Sequence, residues 1–172
     1  MKKLNVPARI FAVISVLAGA VWLGSYITRL VITYQIFEEN STAIKSTIAS
    51  ENLNFIIHAI SPSVVLTFSV YIVFIIMFTF FLLSSDIKLK KSGWLMIIAL
   101  IVYLTMPFEI YLMFIDWKLI AATYFNQSGT SKLIKLVVER FENLRGFPII
   151  LIISYLTLPY FLIQQPFTKN EN

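Results

Sequence analysis

Of 172 residues, 58% are hydrophobic and 13% charged, with a mean hydropathy of +0.81; soluble domains average roughly 45–50% apolar, so an ordinary soluble globular protein is excluded. With Cys 0 and His 1, a chain has no means of forming a disulfide, a thiolate or His-pair metal site or an iron–sulfur cluster, and neither a metal nor another cofactor is expected. The formal charge of +5 is scattered over loop ends rather than gathered into a stripe, which argues for membrane topology and against a nucleic-acid partner.

The predicted fold is all-α: a single transmembrane domain over residues 1–172, an integral membrane four-helix bundle whose solvent and first partner is the lipid bilayer. A spanning helix needs about 20 apolar residues, and four runs qualify, at about 10–37, 62–83, 94–117 and 147–163. None of them alternates with the period of two that a membrane β-barrel requires.

The first run begins after Lys2-Lys3 and contains Ala18-Gly19-Ala20, which resembles a secretory signal with its cleavage site. The apolar stretch continues to Phe37, longer than a signal needs, so an uncleaved first span is the preferred reading. Ala12, Ser15 and Gly19 share one face of this helix and Gly24 falls on a neighbouring one, small residues that let another backbone approach. Intramolecular packing is the plainer explanation of that face, and self-association the sharper one.

Residues 42–60 are predicted to form a short amphipathic helix lying on the membrane, with Ser61-Pro62 capping and opening a fresh helix for the second span. Residues 130–145 repeat the plan, with Leu133, Ile134, Val137, Val138, Phe141 and Leu144 as an apolar stripe, Gly146 as terminator and Pro148 at the start of the fourth span. The layout suggests two span-helix-span halves, with both interfacial helices on the outer side. Pro107 and Pro159 each remove a helical donor within a span and are expected to kink it.

A charge at mid-bilayer costs about 2.5–3.5 kcal/mol on insertion scales, so Arg29 and Glu109 need partners. If spans one and three run in the same direction the two lie at similar depth, and Asp116, seven residues beyond Glu109, shares its helix face. Tyr26, His58 and Tyr111 are candidate supporting groups at the same level. An ion pair that fixes the packing of spans one and three competes with a polar binding site or proton path, and with an Arg29 that snorkels to the interface. Trp22, Trp94 and Trp117 are expected as interfacial anchors.

Lys2, Lys3, Arg9, Lys88, Lys90, Lys91 and Lys169 favour cytoplasmic termini, by a narrow margin over the basic residues of the other side, in a multi-pass protein of the cytoplasmic membrane. The catalytic signatures HExxH and GxSxG, a phosphate-binding glycine loop and a dinucleotide fingerprint are all missing from the sequence, so no enzyme is expected. Three functions remain: a non-catalytic accessory or assembly subunit that binds another membrane protein or itself; a small oligomeric transporter or channel protomer using Arg29, Glu109 and Asp116; and a protective protein of the immunity type, similar to such proteins in layout alone.

Overall fold

The computed structural model describes residues 5–38, 41–87, 89, 92–126 and 129–167. The lysines at 2, 3, 88, 90, 91 and 169, on which the expected orientation mostly rests, lie outside them. The described residues are helical throughout, apart from connections and one isolated antiparallel bridge between Phe37 and Ile44. Four helices are long and apolar enough to cross a membrane.

Helix α1 covers Val6–Ile36, starting four residues earlier than expected because the Asn5 side chain accepts a hydrogen bond from the Ala8 N–H at 2.9 Å and Pro7 needs no donor in the first turn. At about 1.5 Å per residue its 31 residues reach roughly 46 Å, more than the hydrocarbon core of about 30 Å. Its buried side is a heptad-spaced series, Ala8, Ser15, Trp22, Arg29 and Ile36, with Ala18 and Tyr26 beside it. This stripe packs along α2. Gly19 permits that approach, since a Cβ there would stand 3.2 Å from the Phe74 ring, whereas one at Gly24 would meet nothing within 4 Å.

The expected separate helix at 42–60 is not seen: residues 50–60 are helical but belong to the second long helix, which therefore does not begin at Pro62. Residues 41–49 make a compact loop, tied to the end of α1 by Glu38 N–H to the Ala43 carbonyl at 2.9 Å and Lys45 N–H to the Ile36 carbonyl at 3.0 Å. Helix α2 then runs over Ser50–Ser84 with Pro62 inside it. An interior proline costs about 3 kcal/mol, and burial explains why the helix tolerates it. Leu53, Ile57, Ile60 and Val64, on one face spanning the proline, are all buried, so the packed face runs on through it. The Ser61 hydroxyl, meanwhile, donates to the Ile57 carbonyl at 2.9 Å.

Helix α3 (Gly93–Ile120) passes through Pro107 uninterrupted and continues as a π-helical turn over Ala121–Phe125. Helix α4 (Thr130–Glu142) is the second predicted amphipathic helix, shorter than expected at its C-terminal end. Its stripe is also shifted: Leu133 and Leu136 are the buried pair. Gly146, with φ 97°, turns the chain in the left-handed region directly ahead of α5 rather than ending α4, whose last turn is capped at Asn143. With one separate amphipathic helix among the described residues, the two halves do not share a layout.

The fourth run is two helices, α5 (Phe147–Leu156) and α6 (Leu158–Gln164), joined at Thr157. Pro159, lacking an N–H, lies in the first turn of α6, so the expected distortion is an irregularity of one residue at Thr157, which keeps right-handed helical angles and leaves the run long enough to span. Only Leu151 and Tyr155 of this pair are buried.

Two apolar cores result. One, built on Trp22, Tyr71, Phe74, Val102, Leu151 and Tyr155, fills the middle and the end holding Asn5 and Ser84. The other gathers Ile36, Ile57, Val64, Leu119, Leu133 and Leu136 at the α4 end. Trp22 is wholly buried at the centre of the first, its ring 4.9 Å from that of Tyr71 and 4.8 Å from that of Tyr155, so it is no interfacial anchor. It stands about halfway along α1.

Candidate functional site: a buried charge network

The heptad stripe of α1 that buries Ala8, Ser15 and Trp22 also carries Arg29 inward, and the 3–4 spacing of Val102, Thr105, Glu109, Leu112 and Asp116 does the same on α3. The partnership differs from the one expected. Arg29 meets Asp116 rather than Glu109: its guanidinium is bidentate on the Asp116 carboxylate, Nη1 donating to Oδ2 at 2.9 Å and Nη2 to Oδ1. Such a paired fork is the strongest geometry available to two side chains.

Glu109 is met instead by Arg140 of α4, whose Nη2 lies 3.6 Å from Glu109 Oε1. The Nε of Arg140 donates to Asp116 Oδ1 at 3.3 Å and Oδ2 at 3.4 Å. Two arginines and two carboxylates thus form one charge-balanced network joining α1, α3 and α4, with Glu109 and Asp116 all but inaccessible. Burial opposes the charge on Arg140, yet the Asp116 and Glu109 carboxylates outweigh it and hold its pKa above the ordinary arginine value.

Arg140 is the residue that sequence reasoning overlooked. Its signal lies in the α4 stripe, where Leu133, Leu136 or Val137, and Arg140 recur at helical spacing, so a cation occupies the buried face of an otherwise polar-backed helix.

Of the supporting candidates, Tyr26 belongs to the site: it is buried, and the Arg140 guanidinium sits over its ring, 5.9 Å from the centroid. Tyr111 lies apart, half-exposed, its hydroxyl donating to Asn143 Oδ1 at 3.4 Å and so tying α3 to the end of α4. His58 is exposed on α2 and takes no part; the reason is register, since the buried positions Ile57 and Ile60 on either side turn it outward.

A cavity of about 60 Å³ adjoins the network, lined by Tyr26, Arg29, Thr33 and Arg140 together with apolar residues of α2 and the start of α5. It is polar on one side and large enough for a few water molecules, at roughly 10–15 Å³ of such space each. A larger, apolar groove of about 250 Å³ lies nearer the Asn5 end, between α1, α2, α3 and the α5–α6 pair, with Ala12, Ser15, Gly19 and Ala20 along its α1 wall. No group of three or more metal-ligating side chains occurs among the described residues. No protein-family model matches the chain, and comparison with curated proteins and with solved structures finds no match.

Proposed function

We propose that this is a non-catalytic, multi-pass protein of the cytoplasmic membrane, its long helices crossing as a bundle with both termini cytoplasmic, that works by associating with another membrane protein. The observation that carries the reading is the apolar groove beside α1. Small side chains line its α1 wall, and the α5–α6 pair opposite is barely seated, with two buried residues. In a bilayer, helices associate through close backbone approach over small residues, because apolar area gives little preference between protein and lipid. Arg29, Asp116 and Arg140 are meanwhile committed to one another, which supports a structural role for these three.

Since the chain has Cys 0, a single cysteine introduced at Ala20 reports on the groove without background. Crosslinking in native membranes is expected to join it to one and the same membrane protein in stoichiometric yield. Narrowing the groove at its exposed Val16 with Val16→Trp should abolish the adduct while thermal stability in detergent is retained. Recovery of self-crosslinks alone, or an adduct indifferent to Val16→Trp, overturns the reading.

A small oligomeric transporter is the second reading, favoured by one observation, the Glu109 Oε2 atom buried without a hydrogen-bond partner. Solute flux in proteoliposomes that is lost in Glu109→Gln would select it over the first.

A further inference from the structure

Among the described residues two buried side-chain polar atoms, Trp22 Nε1 and Glu109 Oε2, lack any hydrogen-bond partner, and the hydroxyls of Tyr26 and Tyr71 have only loose contacts, with Arg140 and Tyr155. Each such group costs about 1–3 kcal/mol, and native interiors hold few of them. These four are not scattered. The Trp22 ring lies 5.5 Å from that of Tyr26 and 4.9 Å from that of Tyr71, and Arg140 touches both Tyr26 and Glu109. Glu109 is an electrostatic neighbour of the Tyr26, Tyr71 and Tyr155 hydroxyls alike.

Glu109 lines neither the small cavity nor the apolar groove, so its occupant is of the smallest kind. We propose that Glu109 is a proton-binding site: Oε2 takes up a proton delivered from the α4 end through water in the small cavity, whose wall is shared by Tyr26 and by Arg140, the contact of Glu109. Uptake forms an O–H bond on Oε2 at the expense of one on hydronium or water, and release reverses it, with no other bond changed.

The surrounding charges set the effect of that uptake. Facing Glu109 are Arg29 and Tyr26 from α1, Tyr71 from α2, Asp116 from its own helix, Arg140 from α4 and Tyr155 from α5. Asp116 accepts from both arginines and keeps its charge, whereas Glu109 has a single 3.6 Å contact and is the carboxylate left to exchange a proton. Protonation takes the network from neutral to one net positive charge and removes one of the two acids that hold Arg140. The proton site is in this way coupled to the seating of α4.

Infrared difference spectra of the full chain in lipid nanodiscs, recorded on titration from about pH 4 to about pH 9, the range between an ordinary and a deeply buried glutamate, test the proposal. A protonated-carboxyl C=O band should rise as the pH falls, vanish in Glu109→Gln, and shift in Tyr26→Phe, a variant that leaves the carboxylate in place. Trp22 fluorescence, isolated by Trp94→Phe and Trp117→Phe, should titrate with the same midpoint. A band that persists in Glu109→Gln, one unmoved by Tyr26→Phe, or no titrating band at all overturns it.

Discussion

Asp116 has two cationic partners, and that doubles its importance and changes what a charge swap does. Removing Arg29 as Arg29→Ala leaves a buried carboxylate with the weaker half of its bonds, an outcome that costs about 3–5 kcal/mol when a buried pair is broken from one side. The expected loss is read from the unfolding midpoint in detergent or from abundance in the membrane. Reversing the pair, Arg29→Asp with Asp116→Arg, is expected not to restore stability, because the new arginine would face Arg140, which now stands 3.3 Å from Asp116 Oδ1. Replacing both by leucine should cost less than Arg29→Ala alone, since no charge is then left uncompensated. Full rescue by the reversal would show that Arg140 does not share the carboxylate. That Arg29, Glu109 and Asp116 needed partners could be read from their depth in apolar runs; which one each would find could not, because a helix face specifies direction but not the neighbour supplied by a distant part of the chain.

Helix α2 shows how far burial overrides a local signal. Ser61-Pro62 has the form of a helix start, and Pro148 does open α5, where Gly146 at φ 97° has just turned the chain. At Pro62 nothing turns the chain, and the face formed by Leu53, Ile57, Ile60 and Val64 continues straight into the second core. Because the proline is tolerated rather than used, Pro62→Ala should restore a donor to the His58 carbonyl and stabilise the protein by about 1–3 kcal/mol. A lower thermal midpoint in that variant would mean that the proline shapes the helix after all. Pro159 differs, since the irregularity at Thr157 beside it interrupts the fourth run along a wall of the apolar groove. Identical residues, three prolines in apolar helices, thus give two continuations and one local irregularity.

The molecule has two cores of different character, and Arg140 joins α4 to the helices that carry both. The core toward the Asn5 end is aromatic and is formed within the long helices, whereas the one at the α4 end depends on α4 and on the loop after α1, held by Tyr34 and Phe37 against Phe141 and by the Thr42 hydroxyl donating to Glu142 Oε1 at 2.9 Å. Local opening respects such divisions. Arg140→Ala is therefore expected to raise hydrogen exchange across α4 and residues 41–49 at least tenfold, equivalent to about 1.4 kcal/mol, while amides around Trp22 and Val102 keep their protection. Uniform loss of protection through both cores would show them to be one cooperative unit.

Length and hydropathy were enough to locate four long apolar helices, because satisfying the backbone in a medium without water leaves few alternatives to helix, and apolar run length measures it directly. The inward faces of α1 and α3 were readable for the same reason, since 3.6-residue periodicity is a property of the chain alone. What depended on the folded arrangement was the company each face keeps: Asp116 rather than Glu109 for Arg29, Arg140 from a helix that reads as surface-bound, Trp22 at the centre instead of the rim, and Pro62 carried through. Those outcomes are settled by competition among contacts distant in the chain, whose free energies exceed the local preferences of about 1–3 kcal/mol that a stretch of sequence expresses.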